Sequence, residues 1–172
     1  DDVPLIVPEV NREAIAEFRQ RNIIANPNCS TIQMVLALKP LHDLVPIKRI
    51  VVATYQSVSG TGKGAVDELL TQSRQILDGH PIHPEQYPHR IAFNVLPHIE
   101  TFLEDGYTKE EQKVAQESRK ILHLPDLLVS ATCVRVPVVT GHSASVHVEF
   151  ERPLEPKEAR DILKEALGIV LL

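Results

Sequence analysis

Apolar and polar positions along this chain change period several times, and each change predicts an element. Residues 5–7 read as the end of a short strand, Asn11 is placed to cap a short amphipathic helix through about Arg19, and residues 23–25 read as a second short strand. From Cys29 to Leu38 the apolar residues Ile32, Val35, Leu36 and Leu38 fall at helical spacing, and Pro40 is expected to end or kink that helix before residues 41–45. A strand of β-branched residues follows at 49–55. The glycine-rich turn 57–64 leads into a helix at 65–77, one face of which carries Leu69, Leu70, Ser73, Ile76 and Leu77, and Gly79 stops it.

Residues 80–90 hold three prolines and three histidines without periodicity, which predicts a loop pinned by contacts from elsewhere. Residues 91–95 read as a short strand. Thr108 and Glu111 form a T-x-x-E capping box at the head of a charged helix running to about Leu122. Strands are expected at 127–136 and 143–151, the second alternating Ser145, His147 and Glu149 against Val146, Val148 and Phe150. A last helix starts after Pro156 and runs to Leu167, Gly168 closes it, and residues 169–172 begin another apolar run. Apolar runs so near both ends suggest a piece of a larger chain.

With 172 residues and 43% hydrophobic content the sequence suits one domain with a real core. A net charge of −5 and scattered lysines and arginines leave no basic stripe, so nucleic acid is not an expected partner. No apolar run approaches the roughly 20 residues that cross a bilayer, and Asp1-Asp2 is the wrong charge for the head of a signal peptide. A cytoplasmic protein without membrane contact is therefore expected. Cys29 and Cys133 are the only cysteines and show no zinc spacing, and His80 and His83 lie among prolines with no acidic cluster, so no metal is expected.

Chemistry concentrates in two segments. Asn26-Pro27-Asn28-Cys29-Ser30-Thr31 places Cys29 at the start of a helix, where free N–H groups and the helix dipole favour a thiolate, which makes it a candidate nucleophile. Cys133 lies in an apolar strand pattern and reads as inert core. The segment from Arg135 to Ser143 offers a cation and the imidazole of His142. Ser57 to Gly64 fails both the phosphate-loop and the G-x-G-x-x-G spacing and leaves a turn after a strand, with the neutral amide of Gln56 at its entry. Glu110 and Lys113 share a helix face, either as a weak solvated pair or as two charges aimed into a site.

Taken in order, Val3-Pro4-Leu5-Ile6-Val7-Pro8-Glu9-Val10-Asn11, Asn26-Pro27-Asn28-Cys29-Ser30-Thr31, Ala53-Thr54-Tyr55-Gln56-Ser57-Val58-Ser59-Gly60, Phe93-Asn94-Val95-Leu96-Pro97-His98-Ile99, Glu110-Glu111-Gln112-Lys113, Arg135-Val136-Pro137-Val138 and Gly141-His142-Ser143 resemble the catalytic and dimerisation domain of bacterial aspartate-semialdehyde dehydrogenases. The resemblance spans nearly the whole chain. It implies an α+β fold, a mixed and largely antiparallel sheet with helices on one face, as in glyceraldehyde-3-phosphate dehydrogenase-like catalytic domains, with residues 1–172 forming one domain of a two-domain enzyme. It implies interconversion of aspartate 4-semialdehyde and 4-aspartyl phosphate with NADP and phosphate, in the synthesis of lysine, threonine, methionine and isoleucine.

By motif, the resemblance makes Cys29 the nucleophile, His142 the acid/base and Gln56 the residue that orients the intermediate. Arg135, Glu110 and Asn28 would bind the substrate, with Glu111 the alternative to Glu110, and Lys113 would bind phosphate. Ser59 and Gly60 would lie near the nicotinamide, the main coenzyme domain being absent from these residues. A homodimer or homotetramer is implied. The competing readings are a cysteine hydrolase or acyltransferase using Cys29 and His142, and a non-catalytic dimerisation fragment.

Overall fold

The structure is a computed structural model that describes residues 2–172; Asp1 lies outside it. Helices α1 (Pro8–Asn11), α2 (Cys29–Leu44), α3 (Lys63–Leu77), α4 (Lys109–Ile121) and α5 (Pro156–Glu165) accompany strands β1 (Ile47–Gln56), β2 (Leu128–Arg135) and β3 (Ser143–Phe150). The strands form one sheet in the order β2-β1-β3, and the architecture is α+β. The described residues divide into two compact units: residues 2–52, Gln112–Ala131 and Val146–Leu172 form the first, and Ala53–Glu111 and Thr132–Ser145 the second.

In the first unit, the two short strands expected near residues 5–7 and 23–25 reduce to a single parallel bridge between Leu5 and Ala25. Pro4 has no N–H to give and Pro8 already occupies the first position of α1, so neither side has room for a ladder. The amphipathic segment after Asn11 is a 3-10 helix, Arg12–Gln20. Asn11 does not cap it with its side chain: Oδ1 accepts from Val7 N at 2.9 Å and Nδ2 donates to the Leu5 carbonyl at 2.8 Å.

Pro40 does not end α2, since the helix runs on to Leu44. The proline forgoes one hydrogen bond to the carbonyl four residues back. Buried Met34, Val35 and Leu38 before it and Val45 after it hold the apolar face in register across the gap. His42 Nδ1 then accepts from Ile47 N at 3.1 Å and fixes the turn into β1. Helix α5 packs against α2.

In the second unit, the 3-10 turn Val58–Thr61 packs on α3, and Val58, Ala65, Leu69, Ile91, Ala92 and Leu96 make a core with Tyr87 against it. Helix α3 ends as the glycine predicted: Gly79 has φ 72°, Gly79 N donates to Ile76 O and His80 N to Gln75 O, a Schellman closure. The expected pinned loop is held by two buried side chains of α3. Glu68 accepts from the backbone N–H of Glu85 and Gln86, and Gln72 Oε1 accepts from Ile91 N at 3.1 Å and Ala92 N at 3.2 Å.

Residues 91–95 are a turn, not the expected strand. Phe93 takes φ 54°, which breaks extension, and only Leu96 pairs, through both its N–H and its carbonyl, with Arg135. The capping box forms as written: Thr108 N donates to Glu111 Oε2 at 2.8 Å and Glu111 N to Thr108 Oγ1 at 3.3 Å. The alternation expected in β3 is muted, because Val146 is 37% exposed and only Val148 and Phe150 on that strand are half-buried.

Candidate functional site

The second unit draws together four of the residues singled out in the sequence. Gln56, at the end of β1, is buried, and its Nε2 donates to Glu110 Oε1 at 2.8 Å and to Thr54 Oγ1 at 3.2 Å. Glu110 is buried in the first turn of α4. Arg135 ends β2, is buried, donates from Nη1 to the Ser57 carbonyl at 2.8 Å, and keeps its Nε buried with no hydrogen-bond partner. His142 Nδ1 accepts from Ser57 N at 3.1 Å and lies 3.1 Å from Ser57 Oγ, which in turn is 3.1 Å from Ser59 Oγ.

Because Ser57 N–H can only donate, Nδ1 of the neutral ring is an acceptor and its hydrogen sits on Nε2. Burial and the Arg135 guanidinium push His142 below the ordinary imidazole value of 6.5, while Glu110 pulls it back up. The ring is therefore neutral near pH 7. Gly60 makes room for this group: a Cβ there would stand 3.1 Å from His142 Cε1 and 3.2 Å from both His142 Nε2 and Arg135 Nη1.

The structure separates the two neighbouring glutamates. Glu111 spends both oxygens on backbone, Oε2 on Thr108 N and Oε1 on Cys133 N at 3.0 Å, whereas Glu110 faces Gln56. Cys133 is buried, and that burial, with Glu110 and Glu111, pushes its thiol up to about 12, against the Thr54 hydroxyl and Arg135, which pull it down.

The other expected residues belong to the first unit. Cys29 is exposed as the first residue of α2. Asn28 is the cap: its Oδ1 accepts from Ser30 N at 2.9 Å and Thr31 N at 3.1 Å, and its own N–H donates to Glu117 Oε2 at 2.6 Å. The Asn28 amide oxygen is thus committed to the helix start. Lys113 lines a cleft of about 340 Å³ with Val3, Leu5, Ala25, Glu117 and Lys120. Thr54 and Ser57 entered the sequence reading only as members of a motif, with no role given to either, and Glu117 was not singled out. Thr54 had a signal, since residues two apart on a strand share a face; Ser57 meets His142 and Arg135 through its backbone as well as its hydroxyl, and the backbone groups carried no signal.

A family described as semialdehyde dehydrogenase, dimerisation domain, matches residues 38–172, and the chain belongs to it. The chain is 55% identical over 172 residues to the aspartate-semialdehyde dehydrogenase of Aquifex aeolicus, covering 99% of this chain and 51% of that one. It superposes with a TM-score of 0.98 and 54% identity on the aspartate semialdehyde dehydrogenase II of Vibrio cholerae complexed with ASA, covering 99% of this chain and 51% of that structure. A second structure, aspartate semialdehyde dehydrogenase with NADP from Candida albicans, is 27% identical with a TM-score of 0.66, over 95% of this chain and 45% of the other. The chain thus spans about half the length of the relatives it matches. No helix among the described residues is long and apolar enough to cross a membrane.

Proposed function

We propose that this chain is the catalytic and dimerisation part of a two-domain, cytoplasmic aspartate-semialdehyde dehydrogenase that works as a homodimer. Its reaction would interconvert L-aspartate 4-semialdehyde plus phosphate with L-4-aspartyl phosphate in the synthesis of lysine, threonine, methionine and isoleucine. The relatives' names support the reaction, and the dimerisation-domain family supports the homodimer. The observation that carries the substrate class is the Arg135 Nε, buried with no partner in the same unit that holds buried Glu110 and Gln56. A buried guanidinium edge left unpaired costs free energy until an anion such as a carboxylate takes it.

In this reading the Cys29 thiolate adds to the aldehyde carbon, and the resulting hemithioacetal is oxidised to a thioester as His142 takes the hydroxyl proton. Phosphate then attacks the thioester carbonyl, and the C–S bond breaks to release the thiolate and the acyl phosphate. For Nε2 to receive the proton, Nδ1 must carry the hydrogen instead, and Ser57 Oγ at 3.1 Å is the acceptor that accommodates it, at the cost of the backbone bond from Ser57. Glu110 balances the substrate ammonium, Lys113 takes phosphate and Gln56 orients the intermediate. NADP, when bound, supplies the hydride acceptor. Exposed Ser59 and side-chain-free Gly60 beside His142 leave a cradle that a Cβ would fill, which suits a flat ring at that point.

The test assays the whole protein that carries this chain with the semialdehyde, phosphate and NADP. Phosphate-dependent coenzyme reduction that Cys29→Ala removes is the expected result. Thioester or amide turnover by the 172-residue chain alone, with no coenzyme, would instead establish the hydrolase reading.

A further inference from the structure

Gln56 is buried and held through one of its two polar ends. A carboxylate accepts hydrogen bonds and cannot donate them, so the atom of Gln56 that meets Glu110 at 2.8 Å must be the amide NH2. The second hydrogen of that NH2 goes to Thr54 Oγ1 at 3.2 Å, two residues earlier on the same face of β1. Thr54 is itself buried, and its hydroxyl oxygen accepts from the amide. Both donors of Gln56 are consumed inside the protein, and the carbonyl oxygen is the end left over.

We infer that Thr54 is a positioning residue which, with Glu110, locks the Gln56 amide so that it meets its ligand as an acceptor, and that Gln56 therefore recognises a donor group, an ammonium or a hydroxyl, and not an oxyanion. This rests on the proposed reaction for the identity of the ligand, though not for the orientation of the amide. Oriented this way, Gln56 adds a neutral acceptor beside the Glu110 carboxylate. A free amide would instead rotate, since its two ends are nearly equal in shape, and would offer NH2 half of the time to a ligand that is itself a donor.

Two variants and two readouts test it in the complete enzyme. Thr54→Val keeps the shape and removes the acceptor, whereas Thr54→Ser keeps the acceptor. With Thr54→Val, kcat should fall about tenfold with KM for both substrates changed less than about twofold, and Thr54→Ser should restore kcat to within about twofold. In parallel, the Gln56 side-chain amide protons, observed by 15N NMR, should exchange slowly as a pair in the parent protein, and one of them should exchange at least about tenfold faster in Thr54→Val. Unchanged exchange in Thr54→Val, or failure of Thr54→Ser to restore kcat, overturns the assignment. Should Cys29→Ala retain full activity, the proposed reaction falls, and amide exchange alone then decides for or against the role of Thr54.

Discussion

Two cysteines of one short chain meet very different surroundings, and their chemistry should diverge accordingly. Cys29 stands exposed at the first position of α2, whereas Cys133 is buried with its thiol pushed up to about 12. Brief iodoacetamide treatment followed by peptide mapping should label Cys29 alone. The cysteine contrast was legible in the sequence, because one residue followed an Asn cap and the other sat in an apolar run. The imidazole was legible too, but its partners were not. His142 takes its orientation from a backbone N–H, and a backbone group looks the same under any side chain. In an NMR titration His142 should show a midpoint below 6.5, and replacing Arg135 by Met should raise it, because the guanidinium is the second cause of the depression after burial. The sign for stability follows from linkage. An imidazole that binds its proton less well when folded carries no penalty above about pH 6.5, and as pH falls below that value it increasingly favours the unfolded chain.

At the scale of elements, local signals were read well where the chemistry was local. The T-x-x-E box at α4 and the glycine after α3 both closed their helices as the spacing required. Short apolar runs misled: residues 5–7 and 23–25 share a single bridge with Ile23 and Ile24 exposed, and in 91–95 the positive φ of Phe93 breaks extension while Phe93 and Val95 stay exposed. Pro40 misled in the other direction, since tertiary burial on both sides of it outweighed one missing hydrogen bond. The capping box allows a graded prediction. Thr108→Ala should cost about 1 kcal/mol in urea denaturation. Glu111→Ala should cost about 1–3 kcal/mol more, because it also strands the Cys133 N–H that Oε1 now satisfies.

For the molecule as a whole, strand β3 lies at one edge of the sheet with most of its side chains exposed, a surface of the kind a second copy would cover. Sedimentation of the 172-residue chain at micromolar concentration should show a dimer, and calorimetry should show negligible NADP binding, since no segment of this sequence supplies a G-x-G-x-x-G cradle. The grip of α3 on the loop that follows it reaches further than shape. Arg90 is exposed in an irregular, proline-rich stretch, an inviting place for trypsin, yet the peptide nitrogen it would cleave belongs to Ile91 and is hydrogen-bonded to Gln72. A protease must draw several residues into an extended strand, so cutting here waits until Gln72 and Glu68 let go. The parent chain should resist nicking at Arg90 while Gln72→Ala is cut there readily. The digestion rate then becomes a clock for how often this segment comes off its helix.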